Sequence, residues 1–344
     1  MTDDSDKNIH GRPDPAISAL RRQGMQGFRE MRQRLPVRAE SLTQLGRGAF
    51  RADVKIVAGT KATLYYAQVG TRSSAMVDLN PDYTGFVIPI SWRGTFVLNG
   101  EQVNATSVYM PADDTLFQGS GGERTTVAIA VLRDDFIATV AALRGIGPDD
   151  VQFDSGALRA SPEVLTAARR GLRTILEHYS EAAARGALSP QAEEAMTNRA
   201  LGMLTDLFLH AQPPPARELR TAARLGKIVR KAEDCFAATQ GQPVSLSDLC
   251  AAAGVSQGTL YHAFKVMCDT SPMEYFKKRR LTDARMALLG CVPQRGSIKR
   301  AALGAGLPHL GRFAAEYRSL FGELPATTLN DRARDSSAHA GTQV

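Results

Sequence analysis

Two stretches decide the fold: SLSDLCAAAGVSQGTLYHAFK, from Ser245 to Lys265, and SIKRAALGAGLPHLGRFAAEYR, from Ser297 to Arg318. Leu246, Leu249, Cys250 and Gly254 in the first answer to Ile298, Ala301, Ala302 and Gly306 in the second, at a constant offset of 52 residues. The segment from Val244 to Thr328 is therefore an internal repeat. Each copy reads as a capping Ser, a short helix with apolar residues three and four apart, and a Gly where the chain must turn. An apolar residue (Val255 or Leu307), a new capping position and a second amphipathic helix follow. That is the pattern of a helix-turn-helix, whose second helix enters the DNA major groove with its N-terminal residues leading.

The pieces LSDLCAAAGVS, LYHAFK, TSPMEYFKKRRLTDARMALL, IKRAALGAGL and GRFAAEYRSLFGELP together resemble the C-terminal DNA-binding domain of AraC/XylS-family bacterial transcription regulators. The resemblance covers about residues 225 to 328. Three departures stand out. His262 and Ala315 occupy positions where the family usually has Arg, Asp269 replaces a Gly, and Leu307 replaces a Phe. Asp tolerates the left-handed conformation that the Gly position requires.

Charge agrees with the repeat. Residues 1 to 215 carry 23 Lys and Arg against 24 Asp and Glu; residues 216 to 330 carry 17 against 9, a net +8. The chain's excess of +7 thus sits on the repeat-bearing domain, as expected of a surface that displaces counterions from phosphates. Its helices lack the one-sided aromatic and basic pattern of an interfacial helix, so a membrane partner is not expected. No apolar run reaches 18 residues, and the N-terminus MTDDSDKN is acidic and polar; the expected location is the cytoplasm.

Residues 1–48 read as a polar tail and a short basic helix, RRQGMQGFREMRQRLP. From Ala52 to Leu132 the periodicity is that of strands: ADVKIVAG, ATLYYAQVG, AMVDL, TGFVIPI, WRGTFVLNG, TSVYMP and TTVAIAVL. Seven short strands without intervening helices indicate a small antiparallel barrel or sandwich. The resemblance implies a cupin-like effector-binding barrel here, as in many family members. Domain boundaries follow: 49–212 for a cupin-like effector-binding and dimerisation domain, 213–220 for a Pro-rich linker, 221–330 for the DNA-binding domain, 331–344 for a disordered tail. The fold class is α+β in two domains, with a cupin-like antiparallel β-barrel and helices followed by an all-α domain.

The barrel reads as a binder rather than an enzyme. The six His lie at 10, 178, 210, 262, 309 and 339, none between residues 50 and 132, so a His-bound metal cannot form there. No G-x-S-x-G elbow, P-loop or Cys-His pairing is present in this half, and neither a cofactor nor a metal is expected. Residues 1 to 234 contain no Cys, which excludes a methyl-acceptor repair enzyme. Cys235, Cys250, Cys268 and Cys291 form no CxxC pair and read as buried thiols.

For an effector, Tyr65, Tyr66, Phe86, Trp92, Phe96 and Tyr109 are candidates to line an apolar cavity, with Arg72 or Arg93 to meet a carboxylate. The bland alternative is that the aromatics fill the core. Likeness to XylS-type regulators implies a small organic effector, an aromatic carboxylate among the classes. The other reading is a ligand-free dimerisation or protein-docking module. Asp134 to Leu143 reads as a helix. Two amphipathic segments opening with Ser-Pro follow; they either pair subunits in a homodimer or pack on their own barrel.

The candidate DNA contacts are Ser256, Gln257, Thr259 and His262 for base edges, with Lys265 near phosphate. In the second unit His309, Gly311 and Arg312 lead and Arg318 is a phosphate candidate; Arg312 is the leading candidate for a bidentate guanine contact. Arg280, beside the apolar Leu281, reads as structural. Double-stranded DNA, a small effector and RNA polymerase are the partners implied, with activation as the usual outcome in the family.

Overall fold

The computed structural model describes residues 18–23, 25, 36–110, 116–151, 156–184, 189–213 and 215–330. Its N-terminal strands are β1 (Ser18–Gln23), β2 (Val37–Gln44), β3 (Ala52–Ala58), β4 (Ala62–Val69), β5 (Ser73–Leu79) and β6 (Tyr83–Trp92). They continue with β7 (Phe96–Leu98), β8 (Glu101–Gln102), β9 (Ser107–Met110), β10 (Leu116–Gly121), β11 (Arg124–Leu132) and β12 (Gly156–Arg159). Each of the seven expected segments contributes a strand. The expected tail before residue 49 instead holds β1 and β2, and most of the basic helix expected there lies outside the described residues.

The strands form two sheets, one of seven in the order β1-β3-β4-β11-β6-β9-β12 and one of five in the order β2-β5-β10-β7-β8. This corrects the expected barrel. Closure requires the outer strands to pair, whereas β1, β12, β2 and β8 are all edges. The domain is a sandwich, and the chain passes repeatedly from one sheet to the other, staying within a sheet only from β3 to β4, β7 to β8 and β11 to β12.

Strand β11 shows how the alternation sorts its side chains. Val127, Ile129 and Val131 pack toward the helices, whereas Thr126, Ala128 and Ala130 reach the space between the sheets. On the outer face lie α1 (Arg133–Arg144), α2 (Pro162–Ala184) and α3 (Pro190–His210). Ser189 caps α3 by accepting from the Ala192 N–H. Leu165, Leu172, Ile175 and Tyr179 of α2 and Met196, Ala200 and Leu204 of α3 are buried against Leu64, Phe86 and Val127 of the sheet. The apolar faces offered for subunit pairing are thus covered by their own domain.

The second domain comprises α4 (Ala216–Ala238), α5 (Leu246–Ala253), α6 (Gln257–Cys268), α7 (Pro272–Gly290), α8 (Ser297–Gly304) and α9 (Leu310–Phe321). Helix α4 starts immediately after Pro215, so the linker is shorter than the expected 213–220. The repeat holds in three dimensions: both turns carry a left-handed glycine, Gly254 at φ 67° and Gly306 at φ 72°. Their caps differ. Ser245 forms a full capping box with Asp248. In the second copy Gly296 is the cap, and Ser297 sits inside the helix, accepting from the Gln294 N–H and from Arg300. Asp269 ends α6 at φ 50°, as its small polar side chain allows.

The KKRR run of α7 is entirely engaged. Lys277 pairs with Glu316 at 3.0 Å, Lys278 donates to the Leu45 carbonyl, and Arg279 meets the buried Glu233 at 2.9 Å. Arg280 Nη1 donates to the carbonyls of Gly241 and Ala305 and its Nη2 to that of Gln242, while its guanidinium lies 4.9 Å from the Phe236 ring. It thereby ties the turn between α4 and α5, just ahead of the first unit, to the turn of the second, the structural role expected of it.

Replacing Gly306 by Ala should test this tie. An added Cβ would fall 1.7 Å from Arg280 Nη1 and 2.1 Å from the Gly241 oxygen, at a φ that L side chains avoid. Urea unfolding should show a loss of about 2 kcal/mol or more. Gly254→Ala, where a Cβ meets nothing, should cost only about 1 kcal/mol, from φ alone.

Candidate nucleic-acid interface and effector cavity

Helix α6 buries Leu260, Ala263, Phe264 and Met267, so its other face is turned out. Ser256, Gln257, His262 and Lys265 are exposed on it and Thr259 is half-buried. The Ser256 hydroxyl accepts from the Thr259 N–H and lies 3.0 Å from the Thr259 hydroxyl, so this pair completes the helix cap. Lys265 is ion-paired with Asp269 one turn on. In α9 the buried side is Phe313, Tyr317, Leu320 and Phe321, leaving His309, Gly311, Arg312 and Arg318 exposed. Of the nine residues proposed from sequence, seven lie on the two second helices and Ser256 and His309 are their N-caps; eight of the nine are exposed.

Arg312 is 73% exposed at its side chain and held at 2.8 Å from Glu316, which also takes Lys277. Burial opposes ionisation of Glu316, but the hydrogen bonds from Arg312 and Lys277 outweigh it and keep the carboxyl below the usual range. Two outward residues were missed. Tyr261 is 42% exposed and Leu310 40% exposed, both on the leading faces. Each offers the apolar contact a thymine methyl accepts. The signal was present in α6, where Gln257, Tyr261 and Lys265 follow at four-residue spacing.

In the N-terminal domain a cavity of about 150 Å³ lies between the sheets. It exists because inward positions carry little side chain: Ala67, Ala75, Gly85, Gly119, Ala128 and Ala130. Tyr65, Phe96 and Phe117 supply aromatic wall. Of the residues expected from sequence, Tyr65, Phe86 and Phe96 line it, whereas Tyr66, Trp92, Tyr109, Arg72 and Arg93 do not. Tyr66 points to the opposite face of β4, 5.5 Å from Lys55. Tyr109 is wholly buried among Phe96, Leu98 and Val103, where burial pushes its phenol up to about 12; Trp92 packs on the same cluster. Arg93 is exposed and pairs with Glu123 at 3.5 Å.

Arg72 lies between the domains. Its Nη2 donates to the carbonyls of Cys268 and Asp269 and to the Asp269 carboxylate, at 3.0, 2.7 and 3.0 Å. Nearby, Ser74 Oγ is 3.9 Å from Cys268 Sγ, and the Gln44 N–H donates to Thr282 Oγ1. Cys268 is a buried thiol, pushed up to about 12 by desolvation, and is unsuited to redox chemistry. Leu42, Val54 and Ile56 of the sheets share one apolar cluster with Tyr317, Leu320 and Phe321 of the helical domain.

The cation that does reach the cavity is Arg124, at the start of β11 and 7% exposed. Nη1 donates to the carbonyls of Gly121 and Gly122 at 2.8 and 3.0 Å, and Nη2 to Ser73 Oγ at 3.0 Å. No carboxylate pairs with it among the described residues. Burial lowers its pKa to about 10. An Arg opening the otherwise uncharged strand RTTVAIAVL was the sequence signal for this site.

Residues 249–331 match the family of helix-turn-helix domains. The chain is 42% identical over 87 residues to the XylDLEGF operon transcriptional activator 2 of Pseudomonas putida, covering 25% of this chain and 55% of that protein. A second XylDLEGF operon transcriptional activator from that organism is 42% identical over 86 residues, 27% of its length. A probable thc operon regulatory protein of Rhodococcus erythropolis is 34% identical over 114 residues, covering 33% of this chain and 34% of that one. The chain thus spans about half the length of the first relative and about a quarter to a third of the other two. The AraC-like transcriptional activator CuxR overlays with a TM-score of 0.40 at 12% identity, over 78% of this chain and 95% of that one.

Arg312→Ala should weaken binding to a selected DNA site by about 1–3 kcal/mol and relax preference at one base pair, measured by fluorescence anisotropy on single-substituted sites. A loss uniform over all sequences would assign Arg312 to phosphate instead. Glu316→Gln, which frees Arg312 and removes a negative charge from the surface, should tighten binding.

Proposed function

The C-terminal domain is of the AraC/XylS helix-turn-helix type, and from that premise we propose that the whole chain is a sequence-specific DNA-binding transcriptional activator answering to a small organic effector. The observation that carries the reading is the pair of recognition helices, exposed along their leading faces and held in one unit by α7 and Arg280. Two such helices on one rigid support enter successive major grooves, about 34 Å apart along one side of the duplex. Ser256, Gln257, His262, His309 and Arg312 are the proposed base readers, joined by Tyr261 and Leu310; Lys265 and Arg318 are proposed for phosphate.

The inter-sheet cavity supports effector sensing over a purely protein-docking role for the N-terminal domain. The effector is a small organic molecule, with an aromatic carboxylate as the class that likeness to XylS-type regulators implies. Its influence on DNA binding requires different affinity for two arrangements of the domains. The contacts of Arg72 and Ser74 with the end of α6 are where those arrangements would differ. The proposal includes recruitment of RNA polymerase, action as a homodimer in the cytoplasm and no catalytic step. No helix among the described residues is long and apolar enough to cross a membrane.

Selection from a random duplex library with the full chain tests the reading. The enriched sites should hold two conserved blocks with centres about 10 base pairs apart. The logarithm of affinity should fall with the logarithm of salt by about 0.9 per phosphate neutralised. Absence of any enriched sequence, with binding that only tracks ionic strength, would overturn sequence-specific recognition.

A further inference from the structure

We propose that α4 carries a second DNA surface, a stripe of four cations that takes the phosphates of a duplex segment other than the one the recognition helices read. This rests on the DNA-binding reading and adds to it a contact without sequence preference.

The first observation is where the helical domain leaves its charge free. Its excess of +8 reads as a phosphate surface, yet the KKRR run is engaged, Lys265 pairs with Asp269 and Arg312 pairs with Glu316. On α4, by contrast, Arg220, Arg224, Lys227 and Lys231 are all exposed, and none has an ion-pair partner among the described residues. No acidic residue lies between Leu219 and Ala232. Steps of four, three and four residues put the four cations on one side of the helix, over about 16 Å of its length. Asp234, the next position on that side, faces Arg230 at 4.0 Å.

The second observation is direction. Leu225, Val229, Ala232 and Phe236 on the buried side of α4 share one cluster with Leu260, Ala263, Phe264 and Met267 of α6. The reading face of α6 is turned away from that cluster on one side and the α4 stripe on the other. The two surfaces therefore stand about 20 Å apart, the thickness of two packed helices. A duplex seated on α6 does not reach the stripe. The third observation is composition. The other exposed residues from Arg220 to Lys231 are Thr221 and Ala223, so the stripe has no aromatic or large aliphatic anchor. Protein interfaces and membrane-surface helices both draw on such anchors. Evenly spaced cations on a bare face suit phosphates instead, and about 16 Å of duplex presents about ten of them. A duplex held by the recognition helices keeps the rest of the same DNA molecule at high local concentration, so a weak second contact is populated.

The test saturates an immobilised duplex bearing a selected site with the full chain and measures capture of a fluorescent duplex that lacks the site. Wild type should capture it whatever its sequence. The logarithm of that affinity should fall with the logarithm of salt with a slope of about 3 to 4, as for four phosphates. A variant carrying Arg220→Gln, Arg224→Gln, Lys227→Gln and Lys231→Gln should keep its hold on the immobilised site and capture the second duplex at least tenfold more weakly. Glutamine forms helix about as well as the residues it replaces. If circular dichroism nonetheless shows the variant unfolded, Arg224→Gln with Lys227→Gln decides, with at least a threefold loss expected. Undiminished capture by the folded variant, as the second pair of recognition helices in a dimer would give, overturns the proposal. So does capture confined to duplexes bearing the site, or no capture by wild type. Binding of the immobilised site without capture rejects only the stripe. No preference of wild type for the site over unrelated duplex rejects the regulator reading itself. The stripe is then judged on non-specific binding, where the variant's salt slope should be smaller by about 3 to 4 and an equal slope overturns it.

Discussion

Everything that makes two helix-turn-helix units act as one depends on the guanidinium of Arg280. It donates to three backbone carbonyls contributed by two separate turns, those of Gly241 and Gln242 and that of Ala305, and it lies over Phe236. A planar group with fixed donor directions leaves little rotational freedom to what it bridges. Apolar packing alone is non-directional: Phe276 and Leu281 of α7 bury each unit against the shared helix without specifying its turn about that helix. Gly306 is the counterpart of this clamp, since only the missing Cβ lets the guanidinium and the Gly241 carbonyl approach so closely.

The buried acid Glu233 completes the support. It receives the Tyr275 hydroxyl and the Arg279 guanidinium, and burial raises its carboxyl against the pull of Arg279. Such a network does not add much net stability. Its contribution is geometric, because each member has one arrangement in which all are satisfied. The helical domain thus spends two consecutive basic residues, Arg279 and Arg280, on its own architecture, and presents its outward charge elsewhere, on Lys265, Arg312 and Arg318.

The helical domain was legible because its signals are local and repeated. Gly254 and Gly306 mark the turns, Ser256 caps α6, and the apolar spacing of Leu260, Phe264 and Met267 defines a buried side. The cap of α8 was misread, as Gly296 can take the left-handed conformation that a side-chain cap does not need. In the N-terminal domain alternation revealed the strands but not the closure, because whether edges meet depends on long-range register. The cavity was hidden for a different reason. Aromatic residues draw attention as ligand walls, and Tyr65, Phe86 and Phe96 serve as such, yet Tyr66, Trp92 and Tyr109 are used for packing, and the space itself is left by alanines and glycines that look featureless in sequence. Arg72 and Arg93 were separated from the cavity by partners, Asp269 and Glu123, that lie far away or across a turn.

A cavity defined by absent methyl groups has an evolutionary consequence. Ala67, Ala75 and Ala128 sit on three different strands, and each could gain carbon atoms without removing a backbone hydrogen bond of either sheet. Gly85 and Gly119 are more constrained, since a Cβ there would come within 3.0 Å of the Ile129 carbonyl or the Leu98 side chain. Single substitutions at Ala128 would therefore reshape the interior one methyl at a time without touching the helical domain, whereas Ala67 and Ala75 also pack in the apolar cluster shared with Tyr317, Leu320 and Phe321. What the protein can hold is thus open to change on one strand without altering what it can read, while on the strands facing the helices the two must change together.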